Sequence, residues 1–204
     1  MDEYVFENAN DEDIKEIALI EKEFFGDYAD MYDMDFLTKW YSHNPGMFWV
    51  VRDTQSGQVV GFTITAPVTS ELYDKMLSGE VHDMDKFSAS DVLTHTDSEY
   101  YYFADICLSK KRINGTKNRF LALVAMMSGI QNHLDKTGVK HVVSTAITDE
   151  GVQTSLGMGF EDKGGYDLNG RVVHTMVLEA TPEKKQEILG RMAVIKARII
   201  RKKG

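Results

Sequence analysis

The chain has 204 residues, 43% of them hydrophobic, which is enough apolar material for one domain with a sizeable core. It carries 32 acidic and 23 basic residues for a formal net charge of −9, and this balance disfavours general nucleic-acid binding, which draws its affinity from clustered Lys and Arg. A single cysteine, Cys107, excludes an intramolecular disulfide, and with six scattered histidines it shows no zinc-ligand spacing, so no metal is expected.

No apolar run reaches the ~18 residues of a membrane span, and Met1-Asp2-Glu3 is acidic where an export signal would be basic. A cytoplasmic location is the expectation. Charge is uneven along the chain: thirteen acids stand against Lys15 and Lys22 up to Asp35, whereas Pro182 to Gly204 holds eight basic residues and two acidic ones.

Tyr4 to Asn8 reads as a first strand. Asn10 followed by Asp11, Glu12 and Asp13 reads as a helix start, with Ile14, Ile17, Ala18, Ile20 and Phe24 at helical spacing and Gly26 as a stop. A second helix is predicted over Asp35 to Tyr41, ending before the turn Asn44-Pro45-Gly46. Met47 to Arg52 and Gln58 to Ala66 then form a hairpin. Residues 68–98 are polar and weakly periodic, with a helical turn or two around Glu71 to Leu77, and read as an insertion.

Tyr100 to Leu108 reads as a central strand whose only charge is Asp105. The apolar run Phe120 to Leu134 is a buried helix, His141 to Ala146 the next strand, and Asp149 to Leu156 another helix before Gly157-Met158-Gly159-Phe160. Lys163 to Asp167 and Val172 to Glu179 pair around Asn169-Gly170. Pro182 opens a final helix with Ile188, Met192, Ile195 and Ile199 along one face and basic residues opposite, suited to packing on its own domain, to a homodimer, or to an anionic surface. One domain over 1–180 followed by an amphipathic helix over 181–204 is the expected organisation.

Between the central strand and the long helix lies Ser109-Lys110-Lys111-Arg112-Ile113-Asn114-Gly115-Thr116-Lys117-Asn118-Arg119. Such a loop presents backbone N–H groups and the positive end of a helix dipole to an anion, with a glycine for close approach and cations beside it. Neither the Walker spacing nor the dinucleotide Gly-x-Gly-x-x-Gly occurs. Two readings stand at this point: an anion site, and a basic turn with no ligand.

The loop and the order of elements resemble the GNAT superfamily of acyl-CoA N-acyltransferases, whose loop reads Arg/Gln-x-x-Gly-x-Gly/Ala after the fourth strand. Arg112 and Gly115 match, Lys117 replaces the last small residue, Gly159-Phe160 resembles the family's Gly-Phe, and the order of elements fits from about Tyr4 to Glu179. The resemblance implies an α/β (α+β) fold with a mixed, mostly antiparallel central sheet flanked by helices, the insertion falling between the third and fourth strands. It implies an N-acetyltransferase moving an acetyl group from acetyl-CoA, as co-substrate, to a primary amine by direct attack. The acceptor would be a small cationic amine, an amino acid or a peptide amine, and the acidic N-terminal third and insertion would suit a cation. The alternative is a weak or inactive coenzyme-A-binding protein of the same fold that acts through protein contacts.

By the same resemblance, Arg112, Ile113, Asn114, Gly115, Thr116, Lys117 and Asn118 would hold the pyrophosphate. Ile106, Cys107 and Leu108 would pair with the pantetheine arm, with Thr145 facing it. Asp105, a carboxylate on a mostly apolar strand, is the candidate base, with a purely structural ion pair as the other reading. The family's frequent acid is a tyrosine about five residues before the Gly-Phe phenylalanine; Ser155 stands there, and Tyr166 is a substitute donor. Cys107 could act as a nucleophile beside a thioester, against the ordinary reading of a packed thiol. His133 and His174 read as surface or packing residues, while His82 and His95 lie in the insertion and could reach a substrate, although nothing in their spacing points to one.

Overall fold

The computed structural model describes residues 3–26, 32–94, 98–168, 170–184, 186–188 and 190. The elements run β1 (Tyr4–Asn8), α1 (Asp13–Phe25), α2 (Met34–His43), β2 (Phe48–Asp53), β3 (Val59–Val68), α3 (Ser70–Leu77), β4 (Tyr100–Leu108), α4 (Thr116–Lys136), β5 (His141–Ala146), α5 (Asp149–Gly157), β6 (Glu161–Leu168) and β7 (Arg171–Glu179). The seven strands form one sheet in the order β1-β2-β3-β4-β5-β7-β6. The β4–β5 pair is parallel, and β1–β2, β2–β3, β5–β7 and β6–β7 are antiparallel. This is the mixed, mostly antiparallel, helix-flanked sheet expected from the sequence. No helix among the described residues is long and apolar enough to cross a membrane.

The chain divides into two compact units, one built from the described residues up to Ile64 with Asp105–Asn132, the other from Thr65–Ala104 with His133–Ile188. In the first, the Asn10 side chain accepts from the N–H groups of Glu12 (2.9 Å) and Asp13 (3.2 Å), and Asp13 accepts from the Asn10 N–H (3.0 Å). This reciprocal pairing satisfies the open end of α1. Asp13 is itself buried, a state a carboxylate tolerates only when paired, and Arg52 Nη2 donates to both its oxygens at 3.0 and 2.9 Å while Arg52 Nε meets Glu7 at 2.6 Å. Ile14, Ile17 and Ile20 bury one face of α1, and β3 is buried along its whole length, as a strand covered on both faces must be. Gly61 on β3 is a requirement of packing: a Cβ there would sit 2.4 Å from Leu108 Cδ2 and 2.6 Å from the Cys107 carbonyl oxygen.

In the second unit the parallel ladder pairs Tyr100–Phe103 with His141–Ser144. The described part of the insertion, residues 68–94 and Ser98, is more structured than its polarity suggested. Thr69 caps α3 by accepting from the Leu72 N–H, a short 3-10 turn follows at Met84–Lys86, and Val68 bridges Val92. Leu72, Tyr73, Met76, Met84, Phe87 and Val92 are buried. Tyr73 sets its ring 5.1 Å from Tyr100 and 5.8 Å from His141, and His141 Nδ1 lies 2.7 Å from Glu179 Oε2. These anchors are single residues at irregular spacing, which is why no period announced them.

His133 is buried edge-on to Tyr101, and burial lowers its pKa to about 4, with Lys136 adding to the effect. His174 pairs with Asp162 at 2.8 Å. Both are packing residues. Pro182–Lys184 and Gln186–Ile188 are helical, and buried Ile188 lies against Gly159. Met192, Ile195 and Ile199 of the expected apolar stripe lie outside the described residues, as does His95.

Candidate active site

The loop after β4 has two halves with different duties. Ser109 is fully buried; its N–H donates to the Val60 carbonyl (2.8 Å), and its hydroxyl donates to Glu23 Oε2 (2.7 Å) and accepts from the Arg112 N–H (3.1 Å). Glu23 Oε1 also takes the N–H groups of Lys110 (2.7 Å) and Lys111 (3.2 Å). Partial burial pushes the Glu23 carboxyl up, but the Ser109 hydroxyl and these two N–H groups outweigh it and hold the group below its usual value. The Arg112 guanidinium meets Glu16 Oε2 at 2.5 Å and the Val59 carbonyl at 2.8 Å, and Ile113 is 3% exposed. Ser109 to Ile113 are thus tied to α1, β3 and the core. Arg112, placed by the sequence in a pyrophosphate site, serves with its side chain as an anchor.

The second half is open. Asn114, Gly115, Thr116 and Lys117 are exposed, Asn118 is half-buried, and Gly115 turns at φ +80° in space so open that a Cβ added there would meet no atom within 4 Å. The left-handed turn feeds directly into α4, a helix of 21 residues whose first N–H groups have no partner within the helix. Lys110, Lys111, Lys117 and Arg119 add positive charge along this stretch.

On β4 itself, Asp105 and Cys107 share a face, and their ligating atoms lie within 4.8 Å of each other and of the Glu21 carboxylate on α1. Glu21 is 2% exposed and also accepts from the Tyr32 N–H (3.3 Å). Ile106 and Leu108 are half-buried and alternate with this pair. Burial pushes the Cys107 thiol well up, and the charges of Asp105, Glu21 and Glu23 push the same way. A thiol so held stays protonated and is a poor nucleophile. Native protein is therefore expected to resist iodoacetamide at about pH 8; rapid labelling of Cys107 would restore the covalent reading.

The other sequence-predicted residues lie in the second unit. Thr145 is half-buried on β5 with its hydroxyl 3.2 Å from that of Tyr102. Ser155 is buried near the end of α5, where its carbonyl accepts from the N–H groups of Met158 and Phe160, each at 3.0 Å. Gly159 follows at φ +89°, and Phe160 packs its ring 6.1 Å from Phe103, so the Gly-Phe pair ends the helix and fills the core. Tyr166 sits on β6 with its hydroxyl oxygen enclosed and no hydrogen-bond partner among the described residues. Burial, with the Asp83 charge, raises its pKa. Glu23 and Glu21 are the residues that sequence reading missed; each was one acid among thirteen.

No protein-family model and no curated protein matches the sequence. Solved structures do match its fold. Ard1 from Thermoplasma volcanium is 12% identical with a TM-score of 0.58, the match covering 88% of this chain and 99% of that one. A GNAT-family acetyltransferase from Bacillus anthracis is 8% identical with a TM-score of 0.55, covering 87% and 95%. The NatC complex bound to Gag peptide and CoA contains a chain 15% identical with a TM-score of 0.55, covering 88% and 99%. The chain has the GNAT fold.

Proposed function

We propose that this protein is an N-acetyltransferase that moves the acetyl group of acetyl-CoA to a primary amine by direct attack, with residues 1–180 acting as one catalytic domain. The observation that carries this reading is Gly115: a left-handed turn with open space around it, opening a 21-residue helix, in the loop where the fold's acyl-CoA enzymes bind their co-substrate. The residues fit the group. N–H groups of the Asn114–Asn118 turn would take the pyrophosphate, with Lys117 adding charge, and Arg112 and Ile113 would hold the turn in place. The backbone of Ile106 to Leu108 would pair with the pantetheine amides.

Acetyl-CoA supplies a thioester whose carbonyl the amine attacks. Asp105 takes a proton from the substrate ammonium, the C–N bond forms, and the C–S bond breaks. Water protonates the departing thiolate, which leaves readily. The acidic N-terminal third favours cationic acceptors by steering. A second reading, coenzyme binding without transfer, draws on Ser155, buried in a helix end where the family resemblance led us to expect a tyrosine.

Calorimetric titration with acetyl-CoA, followed by free-thiol release across a panel of polyamines, amino acids and peptides, separates these readings. Saturable binding and amine-dependent thiol release at a KM in about the 1 μM–1 mM range are the expected results. Failure to bind removes the proposal. Binding with no release across the panel selects the second reading.

A further inference from the structure

Glu16 and Glu23 stand two helical turns apart on α1, about 10 Å along its axis, and so lie on one stripe of the helix. Both spend their carboxylates on the loop after β4: Glu16 on the Arg112 side chain, Glu23 on the backbone that opens the loop. Glu23 accepts from three donors, the Ser109 hydroxyl on Oε2 and the N–H groups of Lys110 and Lys111 on Oε1. Ser109 passes this hold onward. A hydroxyl has one proton, and with that proton given to Glu23 its oxygen is turned to accept the Arg112 N–H at 3.1 Å. One carboxylate thus fixes the backbone from Ser109 to Arg112, and buried Ile113 carries it to the left-handed turn at Gly115. All of these groups lie in the first compact unit.

The placement runs against simple electrostatics. A negative charge set beside Lys110, Lys111, Lys117 and Arg119 opposes the approach of a pyrophosphate. The Ser109 hydroxyl and the two N–H groups hold the Glu23 carboxyl below its ordinary value, so it stays ionised at neutral pH. By taking the N–H groups of Lys110 and Lys111, it also removes from the loop the donors nearest β4 that could meet an anion, and leaves the exposed turn from Asn114 to Lys117 as the place for one.

We infer that Glu23 is a positioning residue for the co-substrate: its carboxylate occupies the opening donors of the loop and presets the Asn114–Asn118 turn for the pyrophosphate. This rests on the acetyltransferase reading above. Two physical effects of Glu23 now have opposite signs. If its charge dominated, neutralising it would tighten coenzyme binding; if its hold on the backbone dominates, neutralising it weakens binding, because the loop must then be ordered as the ligand arrives.

The test compares Glu23→Gln, Ser109→Ala and Ile17→Val with the parent in the full chain. It reads the Kd of acetyl-CoA by calorimetry, kcat at saturating acetyl-CoA, the melting temperature, and hydrogen exchange at the Lys110 and Lys111 amides. Glu23→Gln is expected to raise Kd at least about 10-fold, to leave saturated kcat within about 2-fold, and to speed exchange at both amides. Ser109→Ala, which breaks the relay to Arg112 but leaves both N–H groups paired, should raise Kd about 3-fold, and it keeps the question decidable if Glu23→Gln does not fold. Ile17→Val trims the buried face of the same helix, so it should lower the melting temperature with Kd within about 2-fold of the parent. Unchanged or tighter binding in Glu23→Gln, unmoved exchange at both amides, or an equal rise in Kd from Ile17→Val would each overturn the inference while leaving the acetyltransferase reading intact. Failure of the parent protein to bind acetyl-CoA would instead sink that reading, and the inference with it.

Discussion

Gly115→Trp is expected to weaken acetyl-CoA binding by at least about 100-fold while the protein stays folded. A side chain at φ +80° costs about 1–2 kcal/mol, and the bulk of an indole in the open space of the turn blocks the approach of the pyrophosphate to the first N–H groups of α4. Two lost charge-assisted hydrogen bonds at about 1.5–3 kcal/mol each exceed the ~2.7 kcal/mol that 100-fold requires. Gly115→Ala, which adds the backbone strain without the bulk, should sit between the two.

Arg112→Ala makes the informative contrast. Its guanidinium is spent on Glu16 and the Val59 carbonyl, so its loss should appear first as a lower melting temperature, with coenzyme affinity down by less than about 10-fold through a loosened turn. The reverse pattern, affinity collapsing in Arg112→Ala at unchanged melting temperature, would show that the arginine reaches the phosphates and that its anchoring partners are incidental. Calorimetry and thermal melts on the three variants decide the matter.

What the sequence made legible follows from where the determining contacts lie. The ranges of β4 and β5 agree with the apolar runs that announced them, because a strand buried between neighbours is written in consecutive residues. Gly115 was legible for the same reason, since a left-handed residue before a long apolar helix is a local signal. The side-chain partners of Arg112, Glu16 and Val59, are 96 and 53 positions away, and Glu23 reaches Ser109 across 86, so none of these contacts is written locally. Nothing local distinguishes a lysine-rich loop held by a distant carboxylate from one waiting for a phosphate. The insertion was undervalued because its anchors, Tyr73, Met84, Phe87 and Val92, follow no period and become a core only when they meet other strands.

Glu21 is the sharpest instance, and it bears on the chemistry. In the sequence it is an acid on an acidic helix; in the fold it is buried beside Asp105 and Cys107. Asp105→Asn is expected to lower kcat by about 10²- to 10⁴-fold, the usual worth of a general base, with acetyl-CoA affinity within about 2-fold of the parent because the amide keeps the shape of the side chain. The acid limb of the pH–rate profile should change with it. A base works only when deprotonated, so the parent rate falls as pH drops through its titration, and in the asparagine variant that limb should follow only the supply of neutral amine. Glu21→Gln, which removes a carboxylate whose oxygen lies within 4.8 Å of that of Asp105, is expected to reduce kcat by less than about 10-fold. If Asp105→Asn retains the parent rate and profile while Glu21→Gln loses both, the base is on α1 and the strand carboxylate is its neighbour; if neither variant changes the profile, the proton leaves through water.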